Sequence, residues 1–280
     1  IQKVARESGV LNIIPNAGVL AATRALCAPN VFRTSFTNSQ PTMALGKPMM
    51  DKGLKKAVWI TWKYAAGDEA FEGFKEGYTK AGGTIVKELG VAFPNVEFQA
   101  LLTEIASLKP DAVACFFAGG GAAKFMKDYA AAGLKDKIPL YGSGFLTEGT
   151  LEAAGDAAEG VMSTLHYADS LDTPRNKAFR TAYARDFKMQ PDVYAVQGYD
   201  AGQLLLLGAD AVKGDLANKA ALYKAMGSAS IDSPRGKWTM SRAHNPIQDI
   251  YLRKVENKDN KVLGVAAKQL ADSGAGCKMA

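Results

Sequence analysis

A chain of 280 residues with 48% hydrophobic and 22% charged residues has the apolar material for a buried core and the length for two ordinary domains. Its 34 Lys and Arg against 28 Asp and Glu give a net charge of +6. That charge is spread without a dense basic block or a basic run interleaved with aromatics, which argues against nucleic acid as a partner. The longest apolar window, 201–212, is interrupted by Gln203, Gly208 and Asp210 and falls short of the roughly 20 residues that a helix needs to cross a bilayer.

Taken in order, residues 1–8 (IQKVARES) place Ile1, Val4 and Ala5 at helical spacing before Gly9, a C-cap residue. This reads as the end of a helix whose beginning is absent. With no initiator Met, basic n-region or signal h-region, the chain is expected to be a mature or truncated segment. A short strand at 10–14 runs into the turn Pro15-Asn16-Ala17-Gly18, and a second strand is expected at 31–36. Ser39-Gln40-Pro41 opens a helix running to about residue 50. Strands at 57–61, 84–89, 112–117, 138–141 and 160–165 then alternate with helices at 68–80, 97–108, 122–132 and 147–154, which implies a parallel sheet with right-handed crossovers. Past Tyr167 the rhythm changes to helices at 174–187, 194–213 and 219–226, a strand at 236–240, and a hairpin of 248–255 with 261–265. Breaks near 46–55, 168–172 and 243–246 predict two discontinuous lobes, 1–45 with 170–242 and 46–169 with 243–280.

The stretch 111–127, DAVACFFAGGGAAKFMK, is an apolar strand ending in three glycines that open a helix. Backbone N–H groups at such a turn suit a nucleotide phosphate, a ligand carboxylate, or simply close packing of turn on helix. A dinucleotide fingerprint also needs an acidic residue about 20 residues on, and the next strand ends instead in Tyr141-Gly142-Ser143. There is no GxSxG, HExxH or Walker A sequence, so no catalytic residue is assigned and a nucleotide-dependent enzyme is the remote alternative. Cys27, Cys115 and Cys277 lack metal-ligand spacing, and neither a metal nor another cofactor is expected. Cys115 reads as a core thiol, while Cys27 and Cys277 suit either a disulfide formed in an oxidising compartment or two separate thiols. His166 and His244 share no triad or ligand spacing. Arg33 in VFRTS suits hydrogen bonding to neighbouring loops or the steering of an anion.

The segments GVLNIIPNAG (9–18), CAPNVFRTSFTN (27–38), TWKYAAGDEAFEGFK (61–75), PDAVACFFAGGGAAKFMKDYAAAGL (110–134), IPLYGSGFL (138–146), AGDAAEGVMS (154–163) and YAVQGYDAGQLLL (194–206), in this order and spacing, resemble the type I periplasmic binding proteins. The likeness is to the leucine/isoleucine/valine-binding-like substrate-binding proteins of branched-chain and aromatic-acid ABC transporters. The tail with Cys277-Lys278-Met279 looks like the aromatic-compound branch. The resemblance implies an α/β protein of two Rossmann-like lobes with parallel sheets joined by hinge strands, the first lobe lacking its N-terminal strands. It also implies a periplasmic monomer that clamps a small carboxylate between the lobes by hinge motion and hands it to a membrane ABC permease, or a ligand sensor of the same fold.

Carried over by position, the resemblance places at the ligand Asn16, Ala17 and Gly18, with backbone N–H groups on its carboxylate. Tyr64, Ala65 and Ala66, then Phe117, Ala118 and Gly119, then Gly144 and Phe145, would come from the second lobe, and Tyr199 and Asp200 from the first. Tyr64 also fits a surface residue covering a helix start, Phe117 and Phe145 fit core packing, and Tyr199 and Asp200 fit the first turn of a buried helix. Amino-acid-binding members carry an acidic residue near Gly144 for the ligand ammonium, and here the loop is GSGF. Either Asp200 substitutes or the ligand has no ammonium, because an unpaired buried charge costs several kcal/mol. An aromatic or aliphatic carboxylate walled by Phe117, Phe145, Tyr64 and Tyr199 is the expectation.

Overall fold

In the computed structural model, which describes residues 1–279, the strands are β1 (Asn12–Ile14), β2 (Val31–Arg33), β3 (Lys56–Lys63), β4 (Thr84–Ala92), β5 (Ala112–Phe116), β6 (Leu140–Ser143), β7 (Met162–Leu165), β8 (Ser230–Ser233), β9 (Gly236–Met240), β10 (Pro246–Glu256) and β11 (Asp259–Leu270). They fall into two compact units. The first takes Ile1–Thr37, Leu171–Asp249 and the tail from Lys268; the second takes Asn38–Ser170 and Ile250–Ala267.

The second unit is the regular part. Its strands lie in the order β4-β3-β5-β6-β7, all parallel, with β10 antiparallel to β7. β3 shows why both faces are covered: Val58, Ile60 and Trp62 enter one core and Ala57 and Trp59 the other, as the two-residue side-chain period requires. On the first face, the helix Gly119–Ala131 buries Ala122, Phe125, Met126 and Tyr129, and Gln99–Leu108 buries Leu102 and Ile105. On the second, the helix Ala65–Lys80 meets the short helix Ser39–Met43 so closely that a Cβ on Gly73 or Gly77 would collide with the carbonyls of Ser39 or Met43. The single helix expected from residue 39 to about 50 is two pieces, the second being Gly46–Asp51. The break lets both pieces lie on that glycine face, since Gly46 in turn fits only against the Gly77 backbone.

In the first unit β1 and β2 pair in parallel and β8 and β9 antiparallel, around a core of Phe32, Leu204, Leu222, Met226, Ile231 and Trp238. The long helices are Pro174–Phe187 and Val193–Ala211, capped by the side chains of Thr173 and Asp192. β2 ends at Arg33 instead of residue 36 because the carbonyls of Thr34 and Ser35 accept from Arg235. β8, with only four residues, is too short for its alternation to stand out in sequence. The hairpin β10–β11 turns through Asn257 and Lys258, both at positive φ, as a two-residue turn demands.

The boundaries differ from the expected 45/46 and 242/243, and the tail from Lys268 belongs with the first unit instead of the second. Its attachments explain this. Cys277 is disulfide-bonded to Cys27, 250 residues earlier, and Asp272 takes both Nε and Nη2 of Arg24 at 3.1 and 3.0 Å. Cys115 is buried in β5, where burial pushes its thiol far above the usual range and leaves it inert. A Cys27→Ser/Cys277→Ser variant is expected to lose about 2–5 kcal/mol of stability by denaturant titration. The unreduced wild type should yield a Cys27–Cys277 linked peptide by mass spectrometry.

Candidate functional site

In the second unit the chain passes from β3 to β4 on one side and then to β5 on the other, so the strand order reverses between β3 and β5. In open parallel sheets the carboxyl ends of strands flanking such a reversal form the natural ligand crevice. Tyr64 follows β3 directly and is the extended residue before the helix Ala65–Lys80. Its half-buried ring stacks on Phe93 at 4.7 Å and lies 6.3 Å from Phe116 and 6.5 Å from Trp62. Burial raises the pKa of its phenol, which therefore stays neutral. Ala65 is exposed and Ala66 half-buried beside it.

At the end of β5, Ala118 is half-buried and extended, and Gly119 opens the next helix in the exposed left-handed position (φ 56°). Phe117 is not a ligand wall: it is fully buried among Trp62, Phe98 and Phe125. Side chains on a strand alternate, so Phe116 and Phe117 enter opposite cores; Tyr64 borders both, and its ring contact is to Phe116. Counting the period from Val113 and Cys115 would have separated the two.

Beyond β6, Gly144–Leu146 forms a short 3-10 turn in which Gly144 is buried and Phe145 half-buried. The Gly144 carbonyl accepts from Nη2 of the fully buried Arg253 at 3.1 Å and from Thr147 Oγ1 at 3.1 Å. Arg253 also donates to the Tyr167 carbonyl and to Ser163, and pairs with Glu148. A Cβ on Gly144 would lie 2.5 Å from Leu165 Cβ and 2.7 Å from Arg253 Nη2. Packing therefore keeps this position free of any side chain, an acidic one included.

In the first unit the turn after β1 is held from behind. Ser35 Oγ donates to the Asn16 carbonyl at 3.0 Å, Arg33 Nε to the Ala17 carbonyl at 3.0 Å, and Asn16 Nδ2 to Gln197 Oε1 at 2.8 Å. Asn16 is half-buried, Ala17 exposed and Gly18 buried. Arg33, fully buried, also donates to Thr23, Asn245 and the Val19 carbonyl, which is the loop-bonding role among its two expected ones.

Asp200 does not face a ligand. The helix begins at Val193, which puts Asp200 in its interior, fully buried, with Oδ2 at 2.9 Å from both Ser233 Oγ and Arg235 Nε and 3.0 Å from Trp238 Nε1. Burial pushes its carboxyl upward, against the pull of Arg235 and the two hydrogen-bond donors. Tyr199 packs on Phe179 at 5.0 Å and its hydroxyl accepts from Arg175 at 2.8 Å. Residues two apart lie on different helix faces, so Tyr199 does not share the side that Gln197 presents to Asn16. Arg235 and Arg253 carried no signal in sequence, where a buried arginine looks like a surface one.

His166 is buried after β7, and His244 stacks on Phe32 at 4.0 Å with Nδ1 3.0 Å from the Val31 carbonyl, where burial lowers its pKa. Among the described residues no three His, Cys, Asp or Glu gather to hold a metal ion, and no helix is long and apolar enough to cross a membrane.

Residues 1–261 match the family model described as periplasmic binding protein, and the chain belongs to that family. It is 33% identical over 260 residues to Leu/Ile/Val-binding protein homolog 6 of Brucella abortus, a match covering 88% of this chain and 65% of that protein. The chain thus spans less than two thirds of that curated relative. Among solved structures it is similar to an ABC-transporter solute-binding protein from R. palustris in complex with benzoate: 54% identity, TM-score 0.92, 99% of this chain and 76% of that one. A second, from Rhodopseudomonas palustris BisB5 in complex with 3,4-dihydroxybenzoic acid, shares 32% identity at TM-score 0.87 and covers 98% of this chain and 76% of that one. The α/β architecture with its largely parallel sheet is that of the type I members.

Because Asp200 is spent on Arg235, its removal is expected to act on folding. Asp200→Ala should lower the unfolding free energy by about 3–5 kcal/mol in denaturant titration, by stranding a buried guanidinium.

Proposed function

We propose that this protein is the solute-binding component of an ABC importer and that its ligand is an aromatic carboxylate of the benzoate class. The observation that carries the reading is the 54% identity, at TM-score 0.92 over 99% of the chain, to a solute-binding protein in complex with benzoate. The local chemistry supports it. Tyr64 and Phe145, both half-buried, supply apolar contact for an aromatic ring with Phe116 buried behind Tyr64, Ala65, Ala66, Ala118 and Gly119 supply small residues at the strand ends, and the N–H groups of the Asn16–Gly18 turn suit a carboxylate.

Neither Gly144 nor Asp200 can serve an ammonium group. Gly144 has no room for a side chain, and the Asp200 carboxylate is paired with Arg235. A zwitterionic amino acid would desolvate its ammonium without compensation from these positions. The ligand is captured without bond making or breaking and passed to a membrane permease, and the protein works as a monomer. The periplasm is its compartment, a reading supported by the family and by a disulfide that needs an oxidising environment.

A thermal-shift panel of benzoate, 4-hydroxybenzoate, cinnamate, leucine and valine tests the reading. A ligand at 100 times its Kd stabilises by about 2.7 kcal/mol, so a benzoate-class acid should raise Tm by several degrees. Tyr64→Ala is expected to weaken that binding about tenfold by calorimetry. Stabilisation by leucine or valine with no response to any aromatic acid would overturn the assignment.

A further inference from the structure

The turn that should meet the ligand carboxylate owes its orientation to two residues buried behind it. Ser35 Oγ holds the Asn16 carbonyl at 3.0 Å and Arg33 Nε the Ala17 carbonyl at 3.0 Å, while Arg33 Nη2 takes the Val19 carbonyl. The peptide bonds joining Asn16, Ala17 and Gly18 are trans, and in a trans peptide the C=O and N–H point in opposite directions. Drawing the carbonyls of Asn16 and Ala17 inward therefore turns the N–H groups of Ala17 and Gly18 away from Arg33 and Ser35, at a turn where Ala17 is exposed and Gly18 buried. Arg33 is itself immobilised, with no exposed surface and with Thr23 Oγ1 at 2.8 Å and Asn245 Oδ1 at 3.0 Å from Nη1. Ser35 is likewise buried, and its carbonyl accepts from Arg235 Nη1 at 3.1 Å and Gln248 Nε2 at 2.7 Å.

We propose that Arg33 and Ser35 are positioning residues for carboxylate recognition: they aim the two N–H groups at the anion, and Arg33 adds a buried positive charge behind them. The inference rests on the proposed function for the identity of the anion. It differs from a role in folding alone by a stated observable. A residue that only supports the fold lowers Tm and leaves the preference of the folded protein between a carboxylate and its neutral amide unchanged. A residue that aims donors at an anion changes that preference, because a charge-assisted hydrogen bond is about twice as strong as a neutral one.

The experiment is calorimetric titration of the full chain with benzoate and with benzamide, for wild type, Arg33→Lys and Ser35→Ala, each with its Tm. Arg33→Lys retains the charge but not the fork that reaches two carbonyls at once. The expected result is a loss of benzoate affinity of about tenfold in either variant with little change for benzamide. Folded variants with the wild-type preference would overturn the proposal, and should Arg33→Lys not fold, Ser35→Ala decides alone. Wild-type protein that binds leucine and not benzoate overturns the aromatic reading only, and the same comparison is then made with leucine and leucinamide. Wild-type protein that binds no carboxylate overturns both.

Discussion

Three arginines, Arg33, Arg235 and Arg253, are 0, 3 and 0% exposed, and the loops around them are arranged to satisfy them. A guanidinium taken out of water carries five N–H donors and a permanent charge, and leaving either uncompensated costs more than a typical side-chain contact returns. Many of the oxygens they reach are backbone carbonyls of irregular segments, which themselves need donors once they leave a helix or sheet. Each arginine therefore cross-links loop backbone: Arg33 at Ala17 and Val19, Arg235 at Thr34 and Ser35, Arg253 at Gly144 and Tyr167. Loops fixed this way keep a defined shape without regular secondary structure of their own.

The same ties limit what the loops can carry. Gly144 sits where Arg253 and Leu165 leave no volume for a Cβ, so the loop's chemistry is confined to its backbone and to Phe145. Asp200 balances Arg235 while Ser233 and Trp238 satisfy the same carboxylate oxygen, which removes an acidic group from any role at the surface. Neither Gly144 nor Asp200 thus offers a carboxylate to a cationic ligand group. What remains around Tyr64 is aromatic surface, stacked on Phe93 and bordered by Phe116, with a neutral phenol at its edge.

The repeating part of the fold was legible because its two periods are. Short runs buried on both faces mark β3, β5, β6 and β7, the exposed edge strand β4 follows from its place in the alternation with helices, and the expected helix at 174–187 coincides with Pro174–Phe187. Irregular segments were less legible because distant contacts set their boundaries. Ser39–Met43 and Gly46–Asp51 merge into one helical pattern in sequence, and their separation depends on glycines of a helix thirty residues later. Tyr64 and the Asn16–Gly18 turn, each within its own unit, could be placed after strands from the sequence pattern. Counting the two-residue period from Val113 and Cys115 separates Phe116 from Phe117, but a strand buried on both faces does not mark which face lies nearer Tyr64. The arginines were illegible in kind, since their carbonyl partners lie 14 to 201 residues away and no local motif encodes them.

Burial also alters what an arginine does electrostatically. An exposed guanidinium near a binding turn is screened within roughly 8 Å at physiological salt, and its flexible stem spreads its charge over many positions. Arg33 has neither freedom, because four neighbouring oxygens fix its head group below the Asn16–Gly18 backbone. Its charge and the peptide dipoles it orients have the same sign toward the outside of the turn: carbonyl ends face the cation and N–H ends face away from it. Two individually modest effects thus add. The resulting positive potential belongs to backbone already fixed by these hydrogen bonds, so that under the proposed function an anion would meet it without reorganisation.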